Sequence, residues 1–339
     1  MISSHIDEQI FESISQSDRI VITSHIRPDH DAVGSLLGLG AALEAVGKNV
    51  QMVLADSVAV SMRFLEGASR VKKKVEEPFD LFISLDCSDT KRLGDILPDG
   101  VIVDINIDHH LSNLNFGRIN LVEPDTVATS AVIATHLAHW GLSIDKNVAA
   151  PLLMGILGDS LGFRTSNTSS STLRLTADLM DYGINLPEIY NKTLVGRSFP
   201  AAKYWGIGLD KLTKKDGIIY TSLTQQDRKS VSYTGNDDAD LINMLSSIEG
   251  SSVAIMFVEQ SYDKVKVSWR AIPGIDISPL ALSFGGGGHP AASGAEIQGS
   301  LVDVKDKVIP ATIQFIKNID NNTRNEKVRN LKSKIGELK

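Results

Sequence analysis

His25, Asp29, His30 and Asp31 crowd into one stretch, VITSHIRPDHDAVGS, at the end of an apolar run. Imidazoles and carboxylates at this spacing can pass protons or hold a divalent cation. Three further stretches carry the same residue types: DCSD with Asp86 and Asp89, DHH spanning Asp108 to His110, and GILGDS with Asp159. Each acid alone has an ordinary explanation, such as Asp29 as a helix N-cap after Pro28. Brought together, they do not. Several carboxylates within about 6 Å repel one another unless cations lie among them. No lysine lies in these stretches except beyond Asp89, so a divalent metal is the natural counter-charge. Imidazole plus carboxylate, without thiolate, suits Mn²⁺ or a similar ion better than structural zinc. The donors are too many for one ion, and two metals roughly 3.5–4 Å apart, bridged by a carboxylate, would use them. In an extended segment Asp29 and Asp31 point the same way, whereas the two histidines of DHH point differently. One histidine can then ligate metal while the other faces substrate.

The elements that must deliver these residues are readable. RIVITSH, VQMVLAD, DLFISLD and VIVDINID are short Val- and Ile-rich runs, each ending at a polar or acidic residue. Between the first two, AVGSLLGLGAALEAVG has helical spacing and a Gly stop. Nearly continuous apolar strands joined by helices predict an α/β fold with a parallel sheet covered on both faces. Ligands of such sheets bind beyond the carboxyl ends of the strands, where these acids fall. Further helices are expected at TVATSAVIATHLAHWG, DKNVAAPLLMGILGDSL and SSTLRLTADLMDYG. After helical connectors, GIIYTSL, SSVAIMFVEQ and DKVKVSWRAI read as strands of a smaller α/β domain, the last two as a hairpin. The expected division is a catalytic domain over 1–185, a helical linker over 186–212, a second domain over 213–325 and a basic tail over 326–339.

The motifs HIRPDHD, DCSD, DHH and GILGDS follow one another in the order of the DHH phosphoesterase family, and FGGGGHPAASGA resembles the glycine-rich motif of its associated C-terminal domain. Together they span most of the chain, most like the stand-alone oligoribonuclease and pAp phosphatase members. The resemblance implies two metal ions, with His25 and Asp29 on one, Asp31, His109 and Asp159 on the other, and Asp86 bridging. It implies that Asp108 orients an imidazole and that His110 faces the scissile phosphate. Asp86, His110 and Asp108 are the expected catalytic residues. Gly285, Gly286, Gly287, Gly288 and His289, with Arg270 nearby, would receive the substrate's distal phosphate in a cleft between domains. The run also has a physical reading, since glycines let backbone N–H groups approach an anion. Arg164 is a weaker phosphate-contact candidate. Asp104 has no role in the motif.

The activity so implied is two-metal hydrolysis of short RNA or DNA oligonucleotides, or of pAp to AMP, and the resemblance also implies a homodimer. Rival readings are hydrolysis of linear dinucleotides or polyphosphate, and a nucleotide sensor that has lost catalysis. GDSLG mimics a nucleophile elbow, but helical rather than strand character precedes Ser160, which excludes it. His136 and His139 read as structural. A net charge of −7 argues against a broad surface for long duplex nucleic acid. The single cysteine, Cys87, excludes an internal disulfide framework and points to a reducing, cytoplasmic setting without a signal peptide or membrane span.

Overall fold

Alternating residues of the first strands are buried on both sides, which is why they carry no polar face. The computed structural model describes residues 5–261 and 263–336; the side chains of His289 and of residues 320–336 lie outside the description. It divides into two compact units, 1–196 and 197–339, so the division falls inside the expected helical linker. The expected basic tail over 326–339 lies outside the residues whose side chains are described.

The first unit runs α1 (His5–Gln16), β1 (Arg19–Thr23), α2 (His30–Ala45), β2 (Asn49–Val53), β3 (Leu81–Leu85), β4 (Ile105–Asp108), β5 (Ile119–Val122), α3 (Thr129–His136), α4 (Lys146–Asp159), α5 (Ser170–Met180) and α6 (Leu186–Tyr190). All five strands are parallel, in the order β2-β1-β3-β4-β5. Ile20 and Ile22 of β1 pack into one core with α2, α3 and α4, whereas Val21 packs on the opposite face with Phe82, Leu93, Ile96 and Val103. That second face is covered by loops and short turns rather than by helices joining the strands. Gly94, Pro98 and Gly100 break the segment that would have supplied one. Strand β5 was absent from the sequence reading. It sits at the sheet edge and only Leu121 of its four residues is buried, so the apolar signal is weak.

α2 and α4 pack closely because glycines face each other. A Cβ on Gly34 would lie 2.5 Å from the Pro151 carbonyl oxygen, and one on Gly38 would lie 2.5 Å from Leu152. One on Gly155 would overlap Ser130 Oγ. The helices meet backbone to backbone, and this draws their acidic ends together.

The second unit runs α7 (Phe199–Asp210), β6 (Thr213–Lys215), β7 (Ile218–Leu223), α8 (Gln225–Ser230), α9 (Leu241–Leu245), β8 (Val253–Ser261), β9 (Lys264–Ala271), α10 (Ser278–Ser283), β10 (Gly287–His289), β11 (Ala292–Gln298) and α11 (Leu301–Gly336). Its mixed sheet has the order β10-β11-β9-β8-β7-β6, with only β7 and β8 parallel. Trp269 and Phe257 fill the core on one face; Met256, Leu241 and Tyr204 fill the other. Among the described residues no helix is long and apolar enough to cross a membrane.

Candidate metal centre

β1, β3 and β4 lie side by side, so the residues that follow them become neighbours. The strand order reverses between β1 and β3, where an open α/β sheet forms a crevice beyond its carboxyl ends. His25 follows β1, Asp86 follows β3, Asp108 ends β4 and His109 follows it. α2 brings Asp31 in its first turn and α4 brings Asp159 as its last residue.

These side chains form two groups, and Asp86 of the first also faces His109 of the second. His25 Nε2 lies 3.4 Å from Asp86 Oδ2 and 3.9 Å from Asp29 Oδ2. His109 Nε2 lies 3.4 Å from Asp159 Oδ2, 3.9 Å from Asp31 Oδ2 and 3.8 Å from Asp86 Oδ1. One ligand-type atom from each of His25, Asp29 and Asp86 lies within 4.8 Å of the others, as does one from each of Asp31, His109 and Asp159. The same holds for Asp86, His109 and His110. Asp86 adopts a left-handed backbone (φ 53°), a conformation aspartate tolerates better than most residues.

The imidazoles are oriented from behind. His25 Nδ1 lies 2.8 Å from the Ile26 carbonyl oxygen, and His109 Nδ1 lies 3.1 Å from that of Thr126. Carbonyl oxygens only accept, so Nδ1 carries the hydrogen and Nε2 is the atom turned toward the carboxylates. His110 Nδ1 donates to Asp108 Oδ1 at 2.7 Å. Asp108 also accepts from the amides of His109 (2.8 Å) and His110 (3.2 Å) and from Asn113 Nδ2 (2.5 Å). It is fully buried and outside both ligand groups, so its work is to orient His110.

Asp29 does two things at once. Oδ1 caps α2 by accepting from the amides of Asp31 and Ala32, both at 3.0 Å, while Oδ2 faces His25. Asp31 accepts from the amides of Thr129 (2.6 Å) and Ser130 (2.9 Å), and Thr129 Oγ1 donates to Asp86 Oδ1 at 3.0 Å. Sequence reasoning missed Thr126, Thr129 and Ser130. A helix expected at TVATS, with its unpaired first amides, was the available signal. Asp89 caps a turn through Lys91, and Asp104 accepts from the Phe82 amide and from Arg118. Both are structural.

Electrostatics show the strain of the arrangement. Burial, then the charge of Asp86, raises Asp31 to about 7, and burial above all raises Asp159 to about 8. Burial would lower His25, but its hydrogen bond to Asp86 and the nearby carboxylates raise it to about 9. His109 likewise reaches about 9 against burial, through Asp159, Asp31 and Asp86. Asp86 is held below the usual carboxylate range, despite burial, by the three histidines. Among the described residues no lysine or arginine pairs with Asp29, Asp31, Asp86 or Asp159. Such an all-nitrogen and oxygen donor set fits divalent cations.

The other predicted residues lie elsewhere. Ser160 is buried behind the helix α4 and accepts from the Phe163 amide, so GDSLG is no nucleophile elbow. Burial pushes the Cys87 thiol up to about 12, so it is inert. Arg164 is exposed in the turn after α4. Arg270 lies in the second unit on β9; Nε donates to Asn243 Oδ1 at 3.1 Å, and burial lowers its pKa. Gly285 and Gly286 do not present their amides to a ligand. These donate to Leu282 and Ala281 carbonyls and end α10, with Gly285 left-handed (φ 77°). Gly287 and Gly288 enter β10, where a Cβ on Gly288 would lie 2.5 Å from the Ala292 carbonyl oxygen. A four-amide cradle is therefore not what this run builds. Helix termination and close strand pairing already require its first, second and fourth glycines. The side chain of His289 lies outside the described residues.

Comparison with known proteins agrees with this architecture. Residues 19–156 match the DHH family, N-terminal domain, and residues 217–318 match the DHHA1 domain. The chain is 32% identical over 290 residues to the bifunctional oligoribonuclease and PAP phosphatase NrnA of Thermus thermophilus, covering 84% of this chain and 86% of that one. It is 27% identical over 294 residues to the NrnA of Bacillus subtilis, covering 85% and 92%. A crystal structure of an exopolyphosphatase-related protein from Bacteroides fragilis shares the fold, with a TM-score of 0.84 at 23% identity over 94% of this chain and 97% of that one. Both domain matches, the identity to a full-length relative and the two acid–imidazole groups agree: this chain belongs to the DHH family of phosphoesterases.

Proposed function

We propose that the protein hydrolyses short oligoribonucleotides to mononucleotides, and pAp to AMP and phosphate, with two divalent cations, Mn²⁺ foremost. The observation that carries this reading is the Asp86 carboxylate, with one oxygen toward His25 and the other toward His109. His25 and Asp29 would hold one cation and Asp31, His109 and Asp159 the other, with Asp86 between them. The relatives named for both activities match over most of their length, which supports the substrate class.

When bound, such a pair supplies an activated water and neutralises charge on phosphoryl oxygens. The chain's own residues do the rest. The Ile26 and Thr126 carbonyls keep His25 and His109 in one tautomer. Asp108 pins His110 through Nδ1, which aims Nε2 to donate to a phosphoryl oxygen as charge develops there. Arg270, a guanidinium bonded to no carboxylate among the described residues, is suited to grip the substrate's second phosphate.

Hydrolysis of pAp, of di- to pentanucleotides, of longer RNA, of linear dinucleotides from cyclic-dinucleotide turnover and of polyphosphate, each with and without Mn²⁺, tests the reading. Mn²⁺-dependent turnover of pAp and the shortest RNAs is expected. Turnover of polyphosphate or long RNA alone would overturn it.

A further inference from the structure

Behind the second ligand group runs a chain of contacts that leaves the site and ends on α1. His109 Nδ1 donates to the Thr126 carbonyl at 3.1 Å. Thr126 is fixed to Glu123 twice: its amide donates to the Glu123 carbonyl at 3.0 Å, and its hydroxyl donates to Glu123 Oε2 at 3.0 Å. The Glu123 amide in turn donates to the Asp108 carbonyl at 3.0 Å. The other carboxylate oxygen, Oε1, takes His136 Nε2 at 3.0 Å, and His136 Nδ1 donates to Asp7 Oδ1 at 2.7 Å. Asp7, buried on α1, also accepts from Trp140 Nε1 at 3.0 Å.

Both ring nitrogens of His136 face carboxylate oxygens. Ionised carboxylates only accept, so the ring must donate twice and is an imidazolium. Its hydrogen bonds to Glu123, against burial, and to Asp7 raise its pKa accordingly. A doubly bonded cation of this kind has one orientation, and it fixes Glu123 in turn. The segment it braces, 123–130, also supplies the Thr129 and Ser130 groups that hold Asp31 and Asp86. One loop thus orients three ligands, and its rear anchor is a charge triad.

We infer that Asp7, His136 and Glu123 are positioning residues which, through Thr126, set the orientation of His109 and so the affinity of the second metal position. The inference rests on the metal reading of the site. Asp7 precedes the first residue matched by the family domain, so the brace recruits α1 from outside it. These side-chain hydrogen bonds join the three to one another, to Thr126 and to Trp140 rather than to a ligand side chain, so the effect is expected in metal affinity rather than in turnover at saturating metal.

The test uses the full chain stripped of metal. Thr126→Val removes the hydroxyl at nearly constant shape, Thr126→Ser restores it, and His136→Gln opens the far end. Mn²⁺ binding is measured by calorimetry, and the His109 ring is followed by ¹⁵N NMR before metal is added. Partners behind a metal ligand are worth 10–100-fold in affinity, so Thr126→Val and His136→Gln should each weaken Mn²⁺ binding by about tenfold. Thr126→Ser should stay within about twofold of the unaltered chain, and His136→Gln should retain its turnover at saturating Mn²⁺. The His109 ¹⁵N shifts should move in the first two variants alone. Unchanged Mn²⁺ affinity and unchanged His109 shifts would overturn the brace, whether or not the melting temperature falls. Absence of Mn²⁺ binding in the unaltered chain would overturn the site reading first, and the brace with it.

Discussion

A methyl group on Gly155 would come within 2.8 Å of Asp31 Oδ1 and would overlap Ser130 Oγ. The carboxylate thus occupies the space a side chain would need, and the glycine is part of the site. Gly155→Ala should cost about 1–3 kcal/mol by overpacking and should also weaken metal binding, because Asp31 must move. Thermal melts and Mn²⁺ titration check both. Gly206, exposed in α7 with nothing near its would-be Cβ, is the control: Gly206→Ala should stabilise by about 1 kcal/mol.

Asp86 turns one oxygen toward His25 and the other toward His109, so under the proposed reading its removal should damage both metal positions at once. Asp86→Asn keeps the shape and loses the charge. Turnover should fall by more than about 100-fold, the upper range for a partner merely behind a ligand. Hydrolysis of a dinucleotide and metal content by mass spectrometry measure it. Turnover within about tenfold of the unaltered chain would show that Asp86 is no bridge.

The metal-free site holds protons that a cation must displace. At pH 7 the His25 and His109 rings, raised to about 9, and the Asp159 carboxyl, raised to about 8, are mostly protonated. Mn²⁺ affinity should therefore rise from pH 6 to 9, with proton release seen by calorimetry in buffers of different ionisation heat. The fold without metal should respond oppositely. Groups whose folded pKa is raised contribute stability that is present below the unfolded value and is lost as pH rises through the folded one. The two histidines act between about 6.5 and 9, and Asp31 and Asp159 act from about 4 up to about 7 and 8. All four make the metal-free melting temperature fall across pH 6 to 9. A rising melting temperature over that range would contradict these protonation states.

Arg270 tests the substrate grip separately from the metals. A lysine keeps the charge and loses the planar fork that donates to Asn243 and that, under the proposed reading, would grip a phosphate. Arg270→Lys should raise KM for pAp and dinucleotides by about tenfold while Mn²⁺ content is unchanged. Loss of metal with KM preserved would reverse the assigned roles.

Residue order alone named the candidate ligand set, because ligand chemistry is written in residue types. HIRPDHD, DCSD, DHH and GILGDS name His25, Asp29, Asp31, Asp86, His109 and Asp159, and the structure brings all six together. The apolar runs likewise delivered the parallel strands, since a strand buried on both faces must be apolar throughout. Short edge strand β5 was not legible, because an exposed edge leaves no continuous apolar mark. The glycine run was legible as a need for glycine, but not for which reason. Only three dimensions show Gly285 and Gly286 ending a helix, and Gly288 pressed against the Ala292 carbonyl.

What the sequence determined by itself was which groups could hold a cation, since charge and donor type belong to the residue. What the tertiary structure decided was which of them face one another and what holds them there. Asp89 looks like a ligand on paper and serves as a turn cap, and Asp104, to which the motif gives no role, anchors the sheet. Thr126, Thr129 and Ser130 look ordinary and orient three of the candidate ligands through backbone and hydroxyl groups. The reason is physical. A backbone amide or carbonyl is present at every position, so its hydrogen bonds carry no residue-type signature and arise only when packing aims them.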